Sequence, residues 1–286
     1  MLIPAVVLVF IFNYIPMAGV IIAFQRFIPA KGLFGDQQWV GFDNFRFMFK
    51  LPNTMTIIRN TLQIAIMKII FGMIVPISAC LMLNEIRLKF IKRGVQTLIY
   101  LPNFLSWVIF GGVLLDILSP NEGIVNKIIQ SMGFQTVYFL GDPKLFQGTI
   151  VFTDIWKSFG FSTIVYLAAV SNIDPTLYET AAMDGAKRFQ CVLFITLPSM
   201  LPIIILLATL NLGNILNAGF EQIFNMYSPQ VYSTGDIIDT FVYRTGLIDA
   251  QYSLATAVGL MKSSVAIILI SLSYYLAYRF ADYRIF

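Results

Sequence analysis

The segment Ser171-Asn-Ile-Asp174-Pro175-Thr-Leu177-Tyr178-Glu179-Thr180-Ala181-Ala182-Met183-Asp184-Gly185-Ala-Lys187-Arg188-Phe-Gln-Cys191-Val-Leu-Phe-Ile195-Thr-Leu197-Pro198 is polar enough to lie in water, mostly uncharged and strongly patterned. Asp174 before Pro175 reads as a helix start. The Asp side chain offers an N-cap acceptor, and Pro occupies the first helical position, where its missing N–H costs nothing. The pattern predicts a helix over 175–183, stopped at Gly185 in a left-handed turn, and a second helix over 187–197 that ends at Pro198. On the first helix Leu177, Ala181 and Asp184 share a face, and Tyr178 and Ala182 form the neighbouring stripe. Small and apolar residues without evident cover mark a surface for a protein partner. The competing reading folds the loop back onto its own helix ends.

Outward from this loop the chain turns apolar on both sides. About 20 apolar residues cross a ~30 Å hydrocarbon core as a helix, and windows of that length run over 2–24, 60–83, 95–118, 146–170, 198–217 and 254–280. The fourth is the least apolar, because it carries Asp154 and Lys157. Composition agrees: 58% of the 286 residues are hydrophobic and 12% charged, against roughly 45–50% and about 25% in soluble domains. Lipid must therefore cover much of the protein. The first window lacks the basic start and small-residue cleavage site of a signal peptide and is read as a span. The expected fold is all-α and integral to the membrane: one transmembrane domain over 1–286, six transmembrane helices, and the patterned loop between spans four and five.

Charge sets the expected orientation. Arg87, Lys89, Lys92, Arg93, Lys187, Arg188, Arg279 and Arg284 crowd the short segments after spans two and four and the C-terminal tail. The remaining loops are longer, and their basic residues are diluted and accompanied by acids. The dense side is the cytoplasm, which puts both termini and the 171–197 loop inside.

Several chemistries are excluded at this level. With no His, there is no imidazole ligand, catalytic dyad or proton shuttle. Cys80 and Cys191 are too few for a disulfide framework or a structural zinc site. A formal charge of +4 is modest for a nucleic-acid binder. No Gly-x4-Gly-Lys-Ser/Thr phosphate loop occurs, so energy for any pumping must come from elsewhere. A membrane-embedded enzyme is the weakest class. An ion-coupled secondary transporter is the alternative to a driven conduit, and it would be favoured by inverted repeats, which are not evident.

Glu179, Ala181, Gly185 and, after nine residues, Ile195-x-Leu197-Pro198 resemble the EAA signature of binding-protein-dependent ABC importer permeases. Thr180 departs from the pattern, standing where the family has its first Ala; weaker helix propensity is the expected effect. Asn13-Tyr-Ile-Pro16-Met, Trp39-Val-Gly-Phe-Asp-Asn-Phe45, Leu83-Asn-Glu-Ile-Arg87, Tyr100-Leu-Pro102, Asp239-Thr-Phe-Val-Tyr-Arg244 and Gly259-Leu-Met-Lys-Ser263 are similar to its carbohydrate branch. Within that branch they look most like permeases for oligosaccharides such as aldouronates, pectin fragments or alginate. The resemblance implies a coupling helix that docks in a cleft of a cytoplasmic ATPase through Leu177, Tyr178, Glu179, Ala181, Ala182, Asp184 and Gly185. It also implies a second homologous permease, two ATPases holding ATP and Mg, an extracytoplasmic solute-binding protein, and no cofactor or catalysis in this chain.

Ionisable residues inside spans are costly and are functional candidates by default. They are Lys68, Asp116, Asp154, Lys157 and Lys262. In one reading Asp154 and Lys157 neutralise each other and Lys68 or Lys262 pairs with Asp116 or snorkels outward. In the other, Lys68, Lys157 or Lys262 offers positive charge to uronate carboxylates. Asn103, Trp107, Asn211 and Asn214 have the side-chain types that hold sugars, and Asn211, Asn214 and Asn217 follow i, i+3 spacing. Helix packing explains such a stripe as readily as a solute path.

Overall fold

In the computed structural model, residues 2–33 and 35–281 are described, with side chains up to Tyr275. Helix α1 (Ile3–Phe24) leads to a short antiparallel ladder of β1 (Gln25–Arg26) and β2 (Gln38–Trp39). Then follow α2 (Asp43–Lys50), α3 (Thr54–Glu85), α4 (Lys89–Phe104), α5 (Trp107–Ile117), α6 (Ile124–Ser131), α7 (Pro143–Ser171) and α8 (Pro175–Met183). The chain continues through α9 (Arg188–Gly213), α10 (Phe220–Met226), α11 (Tyr232–Gly235), α12 (Ile238–Tyr243) and α13 (Tyr252–Ala281).

Among the described residues, α1, α3, α9 and α13 are long and apolar enough to cross a membrane. The third expected span, 95–118, is corrected. It is not one rod but α4 and α5, bent by 105° across Leu105 and Ser106. Both residues are extended, and Ser106 Oγ accepts from the Ile109 N–H to begin a new helix. The split of 187–197 from 198–217 is corrected too. Arg188 to Gly213 is one continuous helix, which passes Pro198 by means of a π-helical turn at Val192–Thr196. Helix α7 is 29 residues long, and Asp154 and Lys157 keep it out of the most apolar set. The tail residue Arg284 lies outside the described residues, and of Arg279 the helical backbone alone is described.

Helices α3 and α7 form the central pair. Asp142 caps α7 by accepting from the Lys144 N–H, and Pro143 fills its first position. Midway along α7, Gly160 lets the α4 backbone approach: a Cβ there would lie 2.0 Å from the Ile99 carbonyl oxygen. Ile64, Phe110, Leu114, Phe146, Ile150 and Ile223 pack at one end of the bundle, and Cys80, Tyr166, Val170 and Met200 at the end nearer α8. Much of the remaining apolar surface is outward-facing. On α1, every side chain from Leu2 to Ile15 is exposed, as expected of a surface covered by lipid rather than water.

Candidate functional site

The α8 region follows the sequence reading to the residue. Asp174 Oδ1 accepts from the Thr176 N–H at 2.9 Å, and Pro175 opens the helix. That hydrogen bond holds the Asp174 carboxyl below the usual aspartate range. At the other end Gly185 takes φ +76°, Ala186 N–H bonds the Ala181 carbonyl at 2.9 Å, and Gly185 N–H bonds that of Ala182 at 3.1 Å. This pair of bonds is the Schellman closure that an L side chain at Gly185 would strain. Leu177, Glu179, Ala182, Met183, Asp184 and Gly185 are exposed, with Met183 at 88%. Tyr178 and Ala181 are the half-buried pair of the helix. Of the stripe formed by Tyr178 and Ala182, Ala182 is exposed, while the Tyr178 hydroxyl turns back to Thr196 Oγ1 at 2.9 Å. Arg188 NH1 reaches Glu85 Oε2, the last residue of α3, at 3.0 Å.

The expected solute-path residues do not form one cluster; the structure sorts them into three. Lys68, Asn211 and Asn214 line a cavity of about 280 Å³ between α3, α7 and α9, together with Asp154, Ser158, Ser162 and Asn217. Lys68 Nζ lies 3.2 Å from Asp154 Oδ1 and donates to the Ala218 carbonyl at 2.9 Å and to Gln222 Oε1. An ammonium has three protons, so these three acceptors saturate it. Gln222 is fully buried and is fixed in turn by the Ile150 carbonyl and Thr153 Oγ1.

The second cluster lies at the break in the third span. Lys157 Nζ donates to the Asn103 carbonyl at 3.1 Å and sits 5.3 Å from the Trp107 ring centre. Trp107 packs edge-on against Phe110, and Phe110 against Trp156. Asn103 lies in the last turn of the α4 half-helix and Trp107 starts the next. The ammonium thus meets the negative end of a helix dipole and an aromatic face. In the third place, Lys262 on α13 pairs with Asp239 on α12.

The pairings expected from sequence are corrected accordingly. Lys68 pairs with Asp154 and Lys262 with Asp239, whereas Asp116 is exposed and in no ion pair among the described residues. Asp154 does not neutralise Lys157, despite their i, i+3 spacing. Lys157 is the one of the three lysines with no carboxylate in ion-pair range among the described residues. Sequence reasoning counted Asp154 among the ionisable candidates but missed Ser158 and Ser162. The three recur at i, i+4 and i+8 on α7 and line the same cavity, a polar face inside a span that was legible.

Comparison with known proteins adds the following. The family described as binding-protein-dependent transport system inner membrane component matches residues 68–285. The chain is 42% identical to Protein LplB of Bacillus subtilis (strain 168), over all of this chain and 90% of that protein. It is 37% identical to the polygalacturonan/rhamnogalacturonan transport system permease protein YteP of the same organism, over all of this chain and 89% of that one. Among solved structures, a chain of the bacterial alginate ABC transporter, in complex with its alginate pentasaccharide-bound periplasmic protein, superposes with a TM-score of 0.89. The sequences are 40% identical, and the match covers 98% of this chain and 93% of that one.

Proposed function

The chain belongs to the family of binding-protein-dependent transport system inner membrane components, and on that premise we propose that it is one permease half of an ATP-driven importer of acidic oligosaccharides. As a permease of the carbohydrate branch it is a transport component rather than a catalyst. In this reading six spans cross the bacterial inner membrane, with α4 and α5 as a broken third span and α7 as the fourth. Both termini and α8 face the cytoplasm. A second homologous permease completes the conduit. Two ATPases, which hold ATP and Mg, dock on α8, and an extracytoplasmic binding protein delivers the solute. The supporting comparisons are with a permease named for polygalacturonan and rhamnogalacturonan transport and with an alginate transporter.

The observation that carries the acidic-solute reading is the charge of Lys157, which has no carboxylate in ion-pair range among the described residues. Lys68 and Lys262 are each compensated by a carboxylate, so a uronate gains little from them. Lys157 has an aromatic face and a carbonyl beside it. That combination suits a sugar carboxylate on the ammonium and a sugar C–H face on Trp107 or Trp156. The polar cavity bounded by Asp154, Ser158, Asn211 and Asn214 supplies the mixed donors and acceptors that sugar hydroxyls require. The exposed face of α8 around Leu177, Glu179, Ala182 and Asp184 supplies the docking surface.

The test is reconstitution of both permeases with the ATPases in liposomes, with loaded binding protein outside. Oligouronide uptake that needs ATP supports the reading; uptake driven by an ion gradient with the ATPases absent refutes it in favour of a secondary transporter.

A further inference from the structure

Helix α8 stands clear of the bundle over most of its surface, and one side-chain bond ties it to α9. Tyr178 is half-buried among exposed neighbours, and its hydroxyl lies 2.9 Å from Oγ1 of Thr196. Thr196 is only 3% exposed. It is the last residue of the π-helical turn Val192–Thr196, in which the Leu197 N–H reaches back five residues to the Val192 carbonyl. Pro198 follows at once and brings no N–H of its own. Wide turns and prolines are where helices bend, so the tie meets α9 at a deformable point.

The helices above this junction are those that bound the polar cavity. Helix α7 carries Asp154, Ser158 and Ser162 and runs into α8 through Asn172–Asp174; α9 carries Asn211, and Asn214 caps its end. A displacement of α8 reaches α7 through the chain itself. It reaches α9 by the short Asp184–Lys187 connection, which turns at Gly185, and, directly, by the Tyr178 hydroxyl. The Arg188–Glu85 pair adds a contact to α3, but both its side chains are at least half exposed, and such pairs are weak.

We propose that the Tyr178–Thr196 hydrogen bond is the transmission link of this permease, turning movement of α8 into bending of α9 at the π-turn and so into a change in the width of the cavity. Tyr178 is in this sense a positioning residue: it acts through Thr196 and not by touching the ATPase. The proposal rests on α8 being the ATPase-docking helix. A hydroxyl pair suits the task because it is directional, whereas an apolar contact at the same place would let the two helices slide.

The test uses the complete importer in liposomes with Tyr178→Phe, Thr196→Val, Thr196→Ser and the Phe/Val double variant. ATPase co-purification, ATP hydrolysis and solute moved per ATP are measured together. The link predicts that Tyr178→Phe and Thr196→Val retain the ATPases and continue to hydrolyse ATP, while solute moved per ATP falls about fivefold, the equilibrium worth of one hydrogen bond. Thr196→Ser keeps the hydroxyl and should match the wild type. Thr196 Oγ1 also donates to the Cys191 carbonyl at 3.4 Å, so the double variant should be no worse than Thr196→Val alone, which already lacks the Tyr178 bond. Wild-type coupling in Tyr178→Phe overturns the link, and so does loss of the ATPases from that variant, which would make Tyr178 a docking residue. A wild-type assembly without ATP-driven uptake overturns the permease reading, and the link with it.

Discussion

The Lys68 ammonium on α3 and the Asp154 carboxylate on α7 stand 3.2 Å apart across the central helix pair, with side chains 11% and 27% exposed. Neither is tied to a charge on its own helix, so the pair locks the two helices in one register. Removing one partner of a buried pair costs about 3–5 kcal/mol, whereas replacing both is far less damaging. Lys68→Met and Asp154→Asn are each expected to lower the thermal unfolding midpoint clearly, and the double variant to recover much of the loss. Additive losses in a thermal scan of the purified permease in detergent would contradict the pairing.

Lys157 is expected to read solute charge. Lys157→Gln should reduce uptake of acidic oligosaccharides about tenfold or more, corresponding to a charge-assisted hydrogen bond worth roughly 1.5–3 kcal/mol, and should leave neutral ones much less affected. Lys262→Gln is expected to discriminate little, because its partner Asp239 already neutralises it. Competition between labelled acidic and neutral oligosaccharides in liposomes decides this. Equal loss of both in Lys157→Gln would remove the role.

Gly160 is expected to tolerate nothing larger than hydrogen. A methyl there meets the Ile99 carbonyl at 2.0 Å, so α4 must move away from α7. Overpacking of this kind costs about 1–3 kcal/mol. Gly160→Ala should lower thermal stability by that amount and Gly160→Val by more. An unchanged melting curve for Gly160→Val would show that α4 yields freely.

The α8 cap is expected to hold at mildly acidic pH. Its hydrogen bond keeps the Asp174 carboxyl below the ordinary range, so the cap is fully present above the ordinary aspartate value of about 3.9. It is lost only as pH falls through the lower folded value. Hydrogen exchange at the first turn of α8, corrected for intrinsic pH dependence, should show protection persisting to about pH 4. Asp174→Ala should lose it at every pH. Protection that fades well above the ordinary value would refute the assignment.

What sequence revealed and what it hid divides along physical lines. Asp174, Pro175 and Gly185 act on their own neighbours, so both ends of α8 were readable. The break at Leu105–Ser106 escaped because a hydropathy window measures composition and has no sense of direction, although Pro102 and Ser106 were local signs of a stop and a restart. Pro198 misled in the opposite sense: a proline normally ends a helix, but the π-turn before it absorbs the misfit. The lysine partners were hidden because Asp154 and Lys68, or Asp239 and Lys262, are far apart in the chain. The pairing that spacing suggests, Asp154 with Lys157, is absent from the fold, where Asp154 meets Lys68.

In the proposed membrane setting Lys157, with no carboxylate in ion-pair range among the described residues, also has an electrical meaning. A charge held within the bilayer without a counter-ion feels the transmembrane voltage, at about 2.3 kcal/mol per 100 mV for a full crossing. An anion driven inward against an inside-negative potential would pay that toll in full. Seated on Lys157, one uronate and the ammonium form a neutral couple. For as long as that couple lasts, the resting potential of the cell exerts no net pull on it.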